Sequence, residues 1–166
     1  MKIGIISDTH DNLEKIEKAI AIFKKNNVER IFHAGDFVSP FSVKKLLSSD
    51  ILMNAVLGNN DGDYLMIRNI FNMYEKHELE RYTYKTCING KNIIMTHGDI
   101  PEFINALIKA AEFNIIISGH NHLAEIRKIP SGFYINPGTC AGYVSGRSTI
   151  VIGNLEECNF EIIDFT

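Results

Sequence analysis

At 166 residues the chain is sized for one domain that buries about two thirds of the surface its unfolded form exposes. Its 45% hydrophobic and 22% charged residues are the composition of a soluble globular protein. A formal net charge of -3 without any dense Lys/Arg run excludes a non-specific nucleic-acid binder, and no apolar stretch is long enough to span a membrane.

Lys2 to Ile6 is a short continuous apolar run that predicts a buried strand. It ends in Ser7-Asp8-Thr9-His10-Asp11-Asn12, six polar residues on a loop. Asn12 is placed to N-cap a helix with Leu13, Ile16, Ile20 and Phe23 as its apolar stripe. Lys24 and Lys25, before Asn26-Asn27, favour the negative end of that helix. A second strand, Arg30 to Phe32, runs into His33-Ala34-Gly35-Asp36. Pro40 then opens a helix carrying Phe41, Val43, Leu46 and Leu47. A third strand, Ile51 to Leu57, ends in Gly58-Asn59-Asn60-Asp61-Gly62-Asp63. Tyr64, Ile67, Phe71 and Tyr74 again have helical spacing. Strands alternating with helices in this way predict βαβ units and a mainly parallel sheet.

The texture then changes. Tyr82-Thr83-Tyr84 alternates, and Asn89-Gly90 is a strong hairpin signal. It leads into the strand Asn92 to Met95, which ends at Thr96-His97-Gly98-Asp99. Pro101 opens a helix with Phe103, Leu107 and Ala110-Ala111. The apolar run Ile115 to Ile117 follows, ending in Ser118-Gly119-His120-Asn121-His122. Ala124 to Ile129, Phe133 to Ile135, Ser148 to Ile152 and Asn159 to Phe165 all read as strands, with a turn at Pro130-Ser131-Gly132. The pattern predicts one α/β domain over residues 1–166 whose second half is richer in antiparallel strands. The N-terminus carries no secretory signal. Cys87, Cys140 and Cys158 are too scattered for a disulfide framework or a thiolate zinc site. The expected setting is reducing and cytoplasmic.

Five strand ends thus deliver Asp8/His10, Asp36, Asn59, His97 and His120/His122. Ligands of open α/β sheets bind outside the carboxyl ends of the strands, so residues far apart in sequence can share one pocket there. Carboxylate, imidazole and amide together form a mixed oxygen and nitrogen set. It suits Mn, Fe, Zn, Co or Ni better than Mg or Ca.

Asp8-x-His10, Gly35-Asp36, Gly58-Asn59-x-Asp61, His97-Gly98 and Gly119-His120-x-His122, in that order, resemble the calcineurin-like metallophosphoesterases. Asn136-Pro137-Gly138-Thr139 is similar to an element of the family's small single-domain phosphodiesterase branch. The resemblance implies two mixed sheets packed as a sandwich and flanked by helices, in four αββα layers. It implies two divalent ions, one held by Asp8, His10, Asp36 and His122, the other by Asp36, Asn59, His97 and His120, with Asp36 bridging. Two carboxylates against two divalent ions leave a positive site that attracts a phosphate. The implied reaction is phosphodiester hydrolysis by a metal-bridged hydroxide. The implied substrate is a phosphodiester small molecule or a nucleotide. The sequence leaves the substrate, the metal and any homo-oligomer open.

One departure bears on catalysis. In many relatives a histidine follows Gly-Asn, but here the position is Asn60, whose amide donates a hydrogen bond without transferring a proton. Asp61 reads either as a partner orienting the Asn59 loop or as part of an ordinary turn. His33 is expected to be packed and hydrogen-bonded rather than a ligand, and His77 solvated. Asp11 and Asp99 are expected to cap helices rather than to orient ligands, and Cys140 to be a small buried side chain. Tyr and Phe stripes read as core, since no basic residues are interleaved with them. Two competing functions remain. One is a non-catalytic metal-binding interaction scaffold, as in the retromer subunit that resembles this branch. The other is a phosphomonoesterase or nucleotidase of the same superfamily.

Overall fold

Continuous apolar runs make strands that are covered on both faces, and the computed structural model, which describes residues 1–166, is built on that rule. The first half runs β1 (Lys2–Ile6), α1 (Leu13–Lys25), β2 (Arg30–His33), α2 (Pro40–Leu47), β3 (Leu52–Val56), α3 (Tyr64–Asn72) and β4 (Glu78–Glu80). The second half runs β5 (Thr83–Ile88), β6 (Lys91–Thr96), α4 (Pro101–Ala110), β7 (Ile115–Ile117), β8 (Ala124–Ile129), β9 (Gly132–Pro137), β10 (Thr149–Asn154) and β11 (Asn159–Asp164). One sheet has the order β11-β10-β1-β2-β3-β4 and the other β5-β6-β7-β9-β8.

Both sheets are mixed, as expected. β1 to β4 are mutually parallel, with β10 antiparallel to β1 and β11 to β10. In the second sheet β6, β7 and β9 are parallel, while β5 and β8 pair antiparallel at the edges. Asn89 and Gly90 both have positive φ and close the two-residue loop between Ile88 and Lys91.

Alternation along each strand assigns the layers. Ile3, Ile5, Phe32, Ala34 and Val56 of the first sheet share a core with Ile93, Met95, Ile115, Ile117 and Ile135 of the second. Ile6, Ile31, Met53 and Ala55 point the other way, against Ile16, Phe23, Val43, Leu46 and Ile67 of α1, α2 and α3. Ile94, Ile116 and Tyr134 meet Ile104 and Leu107 of α4 on the far face. The result is the four-layer sandwich.

Helix ends follow the expected chemistry. The Asn12 side chain accepts from the Lys15 amide, and Pro40 and Pro101 occupy first turns. Several local expectations fail where tertiary neighbours decide. Leu13, Phe41 and Phe103 are exposed or partly so, because each lies at the edge of its stripe, beyond the sheet. The third helix stops at Asn72, which leaves Tyr74 outside it and partly exposed. Strand β4 falls where no strand was expected. His77 precedes it and is buried rather than solvated, its Nδ1 accepting from the Met53 amide at 3.0 Å. The β3–β4 pairing draws it in.

No helix is long and apolar enough to cross a membrane. Gly4 lies where Phe23 of α1 rests on β1, and a Cβ there would come within 2.6 Å of the ring. Gly4→Val should therefore cost about 1–3 kcal/mol in urea unfolding through overpacking, and Phe23→Leu in the same chain should recover part of it.

Candidate metal centre

The parallel register brings the carboxyl ends of β1, β2 and β3 side by side, with those of β6 and β7 beside them. All seven expected side chains meet there. His122 Nε2 lies 3.1 Å and His10 Nε2 3.7 Å from Asp8 Oδ1. His10 Nε2 is also 3.6 Å from Asp36 Oδ2, while His97 Nε2 is 3.5 Å from Asp36 Oδ1. Asp36 thus faces two clusters, one with each oxygen. In the second cluster His97 Nε2 sits 2.9 Å from Asn59 Oδ1 and 3.3 Å from His120 Nδ1. Asp8 also reaches the second cluster, grouping with Asp36 and His97, so the two sets overlap more than the expected partition.

The sequence matches the family described as the calcineurin-like phosphoesterase superfamily domain over residues 1–158. The chain belongs to that superfamily. It is 35% identical over 163 residues to phosphodiesterase MJ0936 of Methanocaldococcus jannaschii, covering 98% of each chain. It is 28% identical over 145 residues to a probable metallophosphoesterase of Methanothermobacter thermautotrophicus, covering 84% of this chain and 77% of the relative. Among solved structures, a novel archaeal phosphodiesterase superposes with a TM-score of 0.94 at 35% identity, covering 99% of this chain and 100% of that one. YfcE, a phosphoesterase from E. coli, superposes over 100% of both chains with a TM-score of 0.67 at 18% identity, which speaks for the fold. Divalent metal ions are the cofactors of this superfamily.

The residues of this phosphoesterase fit such ions on their own geometry. Metal–ligand bonds of about 2.0–2.2 Å put neighbouring ligand atoms about 3.0–3.5 Å apart. The donor atoms here are separated by 2.9 Å between His97 and Asn59 and up to 3.7 Å between His10 and Asp8. His97 Nδ1 lies 2.8 Å from the Ala34 carbonyl, which fixes the ring proton on Nδ1 and leaves a lone pair on Nε2. That lone pair points at the Asn59 oxygen and at Asp36, so acceptors face acceptors. Asp8 Oδ1 is buried without a hydrogen bond of good geometry. A cation between these atoms satisfies all of them.

Burial works to raise the Asp8 carboxyl, but the facing His10 and His122 imidazoles and the Ser7 hydroxyl outweigh it and hold Asp8 well below the usual range. Asp8 in turn raises the His10 imidazole. The site is therefore strongly anionic at its floor. Asn60 donates to Asp36 twice, from its backbone amide at 2.9 Å and from its side chain at 2.7 Å. Asp61 acts on the backbone. Its carboxylate accepts from the Gly58, Asp36 and Val38 amides at 2.7, 3.2 and 2.7 Å, joining the β2 and β3 loops. This is an orienting role for Asp61 rather than an ordinary turn.

The motif glycines have a steric reason. A Cβ at Gly58 would lie 2.1 Å from Asp36 Oδ1, and one at Gly119 would lie 1.9 Å from Ser7 Oγ and 2.7 Å from Asp8 Oδ2. Asn136 locks the loop of His120 and His122. Its Nδ2 donates to the Gly119 carbonyl at 2.8 Å and to Asn121 at 3.0 Å. Thr139 Oγ1 donates to the Asp8 carbonyl at 3.0 Å. Sequence reasoning gave neither residue a task, although the Asn-Pro-Gly-Thr element was the signal.

Asp11 and Asp99 do not cap. Asp11 accepts from Ser39 and Ser42 at the start of α2, and the N-cap position of α4 is Ile100, one residue past Asp99. Burial pushes the Cys140 thiol up, as expected of an inert core side chain. His33 is packed, as expected, stacked on Phe37 with its Nδ1 accepting from the Gly35 amide.

Burial holds the His33 imidazole down to about 3, against an ordinary value of 6.5. Between those values the unfolded chain binds a proton that the folded chain refuses. Stability should therefore fall as pH drops from about 6.5 toward about 3. Urea midpoints across that range should show this loss. His33→Gln should remove close to one proton's slope, about 1.4 kcal/mol per pH unit, whatever its effect at neutral pH.

Proposed function

We propose that this calcineurin-like phosphoesterase is a metal-dependent phosphodiesterase, acting as one domain over residues 1–166 in a reducing, cytoplasmic setting that keeps its three cysteines free. Asp8, His10, Asp36 and His122 would hold one divalent ion, and Asp36, Asn59, His97 and His120 the other. The mixed donors suit Mn, Fe, Co, Ni or Zn. The observation that carries this proposal is the convergence of the His97, Asn59 and Asp36 ligand atoms at metal-ligand spacing.

When bound, such ions polarise a phosphoryl oxygen and lower the pKa of water. The chain's own residues do the rest. The Ala34 carbonyl faces His97 Nδ1 on the side away from the site, while Asn60 and the His120 amide donate to the two carboxylates. The cavity above His10, Asp36, His120 and His122, about 370 Å³, is otherwise walled by Asn60, Thr139, Tyr143 and Val144 and contains no lysine or arginine. No cationic side chain there adds to the charge of the ions for the second negative charge of a phosphomonoester, which favours the monoanionic diester. The name of the archaeal relative agrees.

Hydrolysis of bis-p-nitrophenyl phosphate should require added Mn²⁺ or Ni²⁺, vanish on chelation and return on reloading. Elemental analysis should find close to two ions per chain. His97→Ala should lose at least about 100-fold in kcat and lower that stoichiometry. A chain that hydrolyses neither mono- nor diesters, even with metal bound, would instead be a scaffold.

Asn60 fits a site without its own leaving-group acid. General acid catalysis contributes about 10²–10⁴-fold, most for poor leaving groups. Asn60→His should therefore raise kcat/KM on a dialkyl phosphodiester at least tenfold more than on bis-p-nitrophenyl phosphate, in roughly the proportion that the missing acid would supply. An equal response of the two substrates would remove the proton-transfer explanation.

A further inference from the structure

A second cavity, of about 560 Å³, opens directly from the metal cluster, since Asn59 and His97 belong to both. Its volume is that of a small-molecule site. Away from the cluster its walls are Tyr64 at the start of α3, Arg81 and Tyr82 between β4 and β5, and Ile100 and Phe103 at the start of α4. Tyr82 is 70% exposed and Ile100 57%, so large apolar surface is held in water beside a site for an anionic ester. This overturns the expectation that the aromatic residues are all core with no basic residue among them. Arg81 sits next to Tyr82 in sequence, with its guanidinium 5.2 Å from the Tyr82 ring and 5.3 Å from the Tyr64 ring. Such cation–π contacts brace both rings. Arg81 forms no ion pair and no hydrogen bond that would explain its place otherwise.

Charge narrows what fits. Arg81 is one positive group in this cavity, and Asp99 and Asp61 are negative. The Asp61 carboxylate is occupied by three backbone amides, which leaves Arg81 and Asp99 facing the space with opposite signs. A second phosphate would meet Asp99. A purely aliphatic arm would leave both charged groups without partners. A neutral planar group with its own donors and acceptors meets the rings by its faces and the two charges by its edges.

We propose that this cavity receives the base of a nucleoside arm, so that the phosphodiesters this enzyme selects are nucleotidyl esters, with Tyr82 and Phe103 as specificity-determining residues. The proposal rests on the phosphodiesterase function above and adds the substrate class. A base stacked on one aromatic face should be worth about tenfold or more in affinity.

The test uses the full chain loaded with Mn²⁺, with bis-p-nitrophenyl phosphate as reporter and two diester competitors that differ by a base, the methyl phosphodiesters of adenosine 5′-monophosphate and of ribose 5-phosphate. The adenosine compound should inhibit at least about tenfold more tightly. Tyr82→Ala or Phe103→Ala should reduce that ratio severalfold, and Tyr82→Phe should keep it. Tyr82 is a surface residue, so its replacement leaves the core untouched. Equal inhibition by the two competitors, or a ratio that survives both alanine variants, would overturn the assignment of the cavity while leaving the phosphodiesterase intact. Absence of any reporter hydrolysis would instead bring down the function on which the proposal stands.

Discussion

Two buried carboxylates, Asp8 and Asp36, lie side by side without a lysine or arginine against either, and the structure is arranged around that uncompensated charge. Burying a carboxylate is costly unless it is paired or bound to a metal. Here the protein itself supplies only neutral donors and imidazoles. The His120 amide and both nitrogens of Asn60 donate to the carboxylates, and His10, His97 and His122 face them with ring nitrogens. Such a cup is electrostatically incomplete by itself. Its incompleteness selects a multivalent cation.

The fold matters because it concentrates that charge. A parallel β1-β2-β3 ribbon places three loops in a row, and the parallel β6-β7 pair of the second sheet places two more across from them. Antiparallel neighbours would have sent alternate loops to the opposite edge. The antiparallel strands of this molecule, β5, β8, β10 and β11, give none of the seven residues. They complete the sheets and close the core.

This division explains what the sequence revealed. A buried strand announces itself as an apolar run, and a polar cluster just after it is at a carboxyl end, so the seven residues could be gathered without any distance. The alternation of strands and helices was legible for the same reason, whereas the packing of two sheets followed from the family resemblance. Exposure was not. Phe41 and Phe103 keep helical spacing yet stand in solvent, and His77 looks like a surface residue yet accepts a hydrogen bond in the interior. Whether a stripe's last residue is covered depends on the width of the sheet beneath it. The task of Asn136 was hidden differently and that of Asp61 only half legible, because both act on backbone amides or carbonyls that have no letter in the sequence.

Backbone shape was hidden too, and it links the ligand chemistry to the loops. Asp8, His10, Asp36, His120 and His122 all have positive φ, at 54°, 39°, 61°, 71° and 61°. In this left-handed region a non-glycine residue costs on the order of 1 kcal/mol or more. Glycine would avoid the cost but brings no ligand atom. Asp and His are among the side chains that tolerate the region best, so one residue can turn the chain sharply after a strand and still carry a donor. Val38, at 77°, has no such tolerance, and its amide is one of those held by Asp61. The strain therefore gathers where the loops must double back over the strand ends. Asp61 and Asn136 hold those loops in place, which fixes the donors at ligand spacing.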